Sequence, residues 1–120
     1  MGKPTLVLGA SLNPERYSHL AVRRLSSNGH AVIAVGRREG MIGDVQVRTA
    51  IPEDLALGTV TLYLNAANQQ PWHAAILALR PERVIFNPGA EDDAFERELR
   101  ASGIEVVEGC TLVMLSAGSY

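Results

Sequence analysis

Five short apolar runs punctuate the chain: TLVLG (5–9), HAVIAV (30–35), TVTLYLN (59–65), RVIFN (83–87) and IEVVE (104–108). They are rich in β-branched residues and largely lack alternation of apolar with polar positions, the pattern of strands covered on both faces of a parallel sheet. Between them apolar positions recur at helical spacing. Leu20, Ala21 and Leu25 mark a helix that stops at Asn28-Gly29. Trp72, Ala75, Ile76 and Leu79 mark a second, between Pro71 and Pro81. Ala94, Phe95 and Leu99 mark a third, opened by Glu91, Asp92 and Asp93 and closed by Ser102-Gly103. Strands alternating with helices through right-handed crossovers predict an α/β, Rossmann-like three-layer fold with a five-stranded parallel sheet in the order 3-2-1-4-5. Residues 36–58 break the rhythm: MIGDVQVRT reads as a short extended piece, and IPEDLALG as a helix of one or two turns.

At 120 residues the pattern fits a single domain over 1–120. No segment nears the ~18 apolar residues that span a bilayer, and MGKPTLVLGAS runs into a strand without a secretory signal pattern. A cytoplasmic protein with no membrane partner is expected. The net charge of −2 and the absence of any Lys/Arg run argue against a nucleic-acid partner. One cysteine, Cys110, excludes an intrachain disulfide and a cysteine-based metal cage. Whether the chain forms a homodimer is not written in its sequence.

Binding chemistry concentrates in GASLNPERYS (9–18), between the first strand and the first helix. In sheets of this kind the ligand lies outside the carboxyl ends of the strands, where strand order reverses. Gly9 lets backbone approach a ligand, Ser11 and Asn13 offer polar side chains, and the helix that follows, capped by Asn13-Pro14 or Ser18, presents free N–H groups to an anion. Only one glycine of GxGxxG is present, so the usual dinucleotide pattern fails. The second strand ends in Gly36-Arg37-Arg38 rather than in the acidic residue that grips the ribose hydroxyls of NAD. Arginine there suits a ribose phosphate, as carried by coenzyme A or NADP.

These pieces resemble the stand-alone CoA-binding domain proteins, Rossmann-like folds related to the CoA-binding domain of succinyl-CoA synthetase. The matching residues are Gly9, Ser11, Asn13-Pro14, Arg16 and Ser18, the Arg37-Arg38 turn, NPGAED (87–92) and VVEGCTLVML (106–115). The resemblance implies that Gly9, Ser11, Asn13, Arg16 and Ser18 surround a pyrophosphate, with Ala10 and Gly36 in the same binding set, and that Arg37 or Arg38 meets the ribose phosphate. It places the pantetheine arm near Asn65, Ala66 and the turn Asn87-Pro88-Gly89. The expected ligand is coenzyme A or an acyl-CoA, held through its ADP-3′-phosphate by a carrier, sensor or regulatory module without chemistry of its own.

Two other readings remain open on the residues alone: an NADP-binding oxidoreductase-like protein, and an interaction scaffold without a ligand. Enzymatic activity is disfavoured. No local signature links Cys110 to His19, His30 or His73, Ser11 is not in a GxSxG elbow, and the three histidines lack metal-ligand spacing. Glu91, Asp92 and Asp93 at a helix start complement its dipole, and Trp72 lies on the apolar stripe of its helix.

Overall fold

The computed structural model describes residues 3–53 and 55–120. The elements run β1 (Thr5–Leu8), α1 (Tyr17–Ser27), β2 (Val32–Val35), β3 (Gly40–Ile42), β4 (Val45–Arg48), β5 (Thr59–Leu62), α2 (Ala66–Gln69), a 3-10 turn (Gln70–Trp72), α3 (His73–Leu79), β6 (Arg83–Phe86), α4 (Asp93–Ala101), β7 (Glu105–Glu108) and α5 (Thr111–Ala117). They build one Rossmann-like sheet in the order β3-β4-β2-β1-β5-β6-β7, parallel throughout except for the antiparallel pair β3/β4.

The class is as expected, but the sheet has seven strands, not five, and a different order. The five strands foreseen are β1, β2, β5, β6 and β7, which lie in the order 2-1-3-4-5. The cause is the segment after β2. MIGDVQVRT is no isolated extended piece: it closes a hairpin in which Ile42 faces Val45 across Gly43-Asp44, with Gly43 at φ +58. Its second strand, β4, pairs with the free side of β2, Ala34 opposite Val47 and Val35 opposite Arg48. That leaves β5 only the other side of β1. Nor is IPEDLALG helical among its described residues; Asp54 lies outside them. Ile51, Leu55 and Leu57 instead pack against the core from an irregular segment.

The strand alternation sends side chains to two cores. Leu6, Leu8, Val60, Leu62, Val84 and Phe86 pack against Ile76 of α3 and Phe95 and Leu99 of α4. On the opposite face Val7, Ala34 and Val47 meet Val22 and Leu25 of α1, with Leu115 of α5 alongside. All four positions of β1 and of β5 are buried, which is why their sequences lack alternation.

The helix signals hold locally. α1 ends at Asn28 and Gly29, the latter at φ +85. α4 starts at Asp92, whose carboxylate accepts from the Phe95 N–H, with Asp93 and Glu96 in its first turn. α3 is shorter than its apolar stripe, because Pro71 sits in the 3-10 turn and Arg80 leaves the helix in the left-handed region at φ 49. α5 was not foreseen from the sequence. No helix among the described residues is long and apolar enough to cross a membrane.

Candidate functional site

The carboxyl ends of β2, β1, β5 and β6 form one rim, and the loops leaving them, with the first turn of α1, carry every site position singled out in the sequence. Residues 9–18 follow β1, 36–38 follow β2, 65 follows β5 and 87–89 follows β6.

The first loop is shaped by its own polar side chains. Gly9, at φ +96, and Ala10 both donate their N–H to the Val35 carbonyl. The Ser11 N–H donates to Ser18 Oγ (3.1 Å), the Asn13 N–H to Ser11 Oγ (3.1 Å) and the Glu15 N–H to Asn13 Oδ1 (3.0 Å). His19, buried beneath the loop, bonds the Ser11 carbonyl through Nδ1 (2.9 Å). Its Nε2 accepts from Arg23 Nε (3.0 Å), so the imidazole carries its hydrogen on Nδ1.

Neither Asn13 nor Ser18 caps α1, contrary to expectation. The cap position is Arg16, which makes no capping hydrogen bond, and Ser18 lies inside the helix. With no side chain across it, the start of α1 presents its leading N–H groups to an external acceptor beside the loop.

The loops after β1 and β2 interlock. A Cβ on Gly36 would stand inside the carbonyl oxygen of Ala10, so glycine alone permits this approach. Leu12 lies against Gly40 in the same way, its methyl carbons 2.8 Å from where a Cβ would stand. Arg16, Arg37 and Arg38 are exposed on these two loops and, among the described residues, form no ion pair. The site therefore has open cations at its β1/β2 end.

The β5/β6 end is built differently. Asn65 caps α2, its Oδ1 accepting from the Asn68 N–H at 2.9 Å. Pro88 and Gly89 are exposed, with Gly89 at φ +94 and its N–H held by Glu91 Oε1 at 2.9 Å. Asn87, read from the sequence as a ligand contact, is only 2 % exposed. Its Nδ2 donates to Thr61 Oγ1 (2.7 Å) and to the Leu62 carbonyl (2.9 Å), and its Oδ1 accepts from the Thr111 N–H (2.8 Å). The side chain is fully committed inside the protein, joining β5, β6 and the start of α5.

On the other face of the sheet, Gln69 joins the same two loops. Its Nε2 donates to the carbonyls of Leu64 (3.0 Å) and Ala90 (2.9 Å), and its Oε1 accepts from His73 Nε2 at 2.9 Å. His73 stacks on Phe95, centroids 3.6 Å apart, with Asp92 Oδ2 at 4.0 Å. Burial holds the His73 pKa below the usual histidine value, and the carboxylates of Asp92 and Glu98 only partly oppose this.

The model of one family, the CoA binding domain, matches residues 3–116. The chain belongs to the CoA-binding domain family. Solved structures agree in fold. A protein described only as uncharacterized is 48 % identical, with a TM-score of 0.94 over 100 % of this chain and 99 % of its own. A protein from Thermus thermophilus, 24 % identical, has a TM-score of 0.84, covering 98 % of this chain and 91 % of its own. A hypothetical protein from Pyrococcus horikoshii OT3, 15 % identical, has a TM-score of 0.86 over 96 % and 82 %. No curated protein matches the chain.

Two positions of this CoA-binding domain went unnoticed in the sequence. Arg48 ends β4, opposite Val35 and one residue from the Gly36 turn: the Gly36 N–H bonds the Arg48 carbonyl at 2.8 Å. It is exposed and borders a groove of about 420 Å³ with Glu39, Thr49 and Glu53. Only the hairpin brings it to the rim, and the hairpin was not legible. Gln69 was hidden in the polar run NAANQQPW. A second groove, of about 440 Å³ between α1 and the β3–β4 turn, lies at the opposite end of the strands.

Proposed function

We propose that this protein binds coenzyme A or an acyl-CoA through its ADP-3′-phosphate and acts as a carrier, sensor or regulatory module without catalysing a reaction. The observation that carries this reading is the interlock of Gly36 with the Ala10 carbonyl in a chain of the CoA-binding domain family. It brings the uncapped start of α1 and the exposed Arg37-Arg38 turn to adjacent positions on one rim. A pyrophosphate at the first loop would meet backbone N–H groups and Arg16, and a ribose phosphate would meet Arg37 or Arg38, with Arg48 next to them. Charge-assisted contacts of this type are the stronger class of hydrogen bond and favour a doubly phosphorylated nucleotide over a mononucleotide.

Thermal-shift titration with coenzyme A, 3′-dephospho-CoA, NADPH and ATP tests the reading. A ligand at ~100-fold excess over its Kd stabilises by about 2.7 kcal/mol. Coenzyme A is expected to stabilise most, with 3′-dephospho-CoA clearly behind it. A response to NADPH alone would favour the oxidoreductase-like reading, which the same arginines support. No response to any of the four would leave an interaction scaffold.

A further inference from the structure

Resting on the coenzyme A reading, we infer that Gln69 is a positioning residue for the pantetheine arm. With the nucleotide end at the loops of β2 and β1, an extended ligand that runs toward Asn65 and the Asn87-Pro88-Gly89 turn passes the loops of β5 and β6. At about 4.8 Å per strand, β2 to β6 is roughly 14 Å, a span the pantetheine arm exceeds when extended. The loops at the far end are the ones Gln69 holds: one amide group ties Leu64, two residues beyond β5, to Ala90, four residues beyond β6.

Gln69 is 0 % exposed and every polar atom of its side chain is used, Nε2 on the two carbonyls and Oε1 on His73. A satisfied network of this kind has one geometry, because the fully buried Gln69 amide would be left unpaired in any other. His73 is held in turn by its stack on Phe95, so the clamp is anchored to α4 as well as to α3. Gln69 touches no solvent and cannot meet the ligand; it acts by setting the gap between two loops whose exposed residues, Asn65, Pro88 and Gly89, face the rim. Leu64 also packs its side chain against Gly9 of the first loop, on the neighbouring strand β1, whereas Ala90 lies beyond β6, away from the nucleotide end. The gap between the two loops is crossed by the arm, so the effect is expected on the arm.

The experiment compares coenzyme A with adenosine 3′,5′-bisphosphate, the nucleotide end without the arm, by isothermal titration of wild type and Gln69→Met. Wild type is expected to bind coenzyme A more tightly than the bisphosphate. Gln69→Met is expected to weaken coenzyme A about tenfold, toward the bisphosphate value, and to leave the bisphosphate Kd unchanged. General loss of stability would lower the melting temperature without altering that ratio. Equal loss for both ligands, no loss for either, or a wild type that binds both equally would overturn the inference while leaving the coenzyme A reading intact. A wild type that binds neither would overturn both. If Gln69→Met does not fold, His73→Phe carries the test: it removes the Gln69 Oε1 partner but keeps an aromatic stack on Phe95. The same arm-selective loss is expected, and an unchanged ratio refutes the clamp.

Discussion

Gly36 and Ala10 touch backbone to backbone, the carbonyl oxygen of Ala10 occupying the place a side chain on Gly36 would need. The neighbouring atom is backbone rather than the end of a flexible side chain, so Gly36→Ala must displace one of the two loops. Overpacking of this kind costs about 1–3 kcal/mol, read as a lower urea midpoint at unchanged m-value. Coenzyme A affinity should fall with it, because both loops carry the nucleotide end. A midpoint equal to wild type would show that the loops separate freely.

The arginines divide by phosphate. Arg37→Ala with Arg38→Ala is expected to weaken coenzyme A by roughly 10- to 150-fold for each charged hydrogen bond lost and to leave 3′-dephospho-CoA unaffected. Arg48→Ala should act in the same direction. Arg16→Ala should weaken both ligands, since both keep the pyrophosphate. Titration at one fixed ionic strength checks this, salt being a strong variable for exposed charges.

How far the sequence carried depended on whether the deciding contacts were local. The strands were legible because β1, β5 and β6 are buried on both faces and read as unbroken β-branched runs. The order was not, because it turns on β4 reaching β2 after a three-residue strand and a two-residue turn, too short to show a period. α5 is a helix of seven residues with β-branched Thr111 and Val113, and its first N–H is fixed by Asn87, 24 positions earlier. The loops of the site fell where the strand ends put them. What their side chains do was not legible: Ser11, Ser18 and Asn13 bond within their own loop, and Gln69 owes its burial to a carbonyl 21 positions away.

Asn87 is a structural keystone rather than an exposed contact. Asn87→Leu keeps the volume close but leaves the Thr111 N–H and the Leu62 carbonyl buried without a partner. Each such group costs about 1–3 kcal/mol, so this variant should be among the least stable single changes, with the N-terminus of α5 exchanging its amide hydrogens early. An unfolding midpoint near wild type would contradict the network.

Glu96 gives a pH dependence with a definite sign. It is 3 % exposed, and its carboxyl lies close to those of Glu108 and Asp93. Burial first, then Glu108, raise its pKa above the ordinary value of 4.5, while the Asp92 N–H and Arg100 only partly oppose them. The folded state therefore holds this proton more tightly than the unfolded chain. The stabilising effect is full below pH 4.5 and is lost as pH rises through the folded value. Glu96→Gln still accepts from Asp92 and cannot ionise. Its stability relative to wild type should be smallest near pH 4 and grow toward pH 7, measured as urea midpoints across that range. A difference independent of pH would refute the assignment.

Tyr63 inverts the usual rule for a buried tyrosine, whose hydroxyl normally has a partner. Among the described residues its buried hydroxyl has no hydrogen bond of good geometry: the neighbouring Thr61 and Thr111 hydroxyls bond each other at 2.7 Å and approach it without completing one. Burial pushes its pKa up to about 12 from 10.0, the two threonine hydroxyls offsetting this only in part. Removing the hydroxyl takes away an unpaired polar group, so Tyr63→Phe is expected to match wild type or exceed it by no more than about 1–3 kcal/mol. The same shift makes a second mark. Between pH 10.0 and about 12 the unfolded tyrosine ionises while the folded one does not, so wild type loses stability across that window. Tyr63→Phe should lack that part of the alkaline loss; a variant that is less stable at neutral pH and shows the full alkaline loss would mean that the hydroxyl has a partner after all.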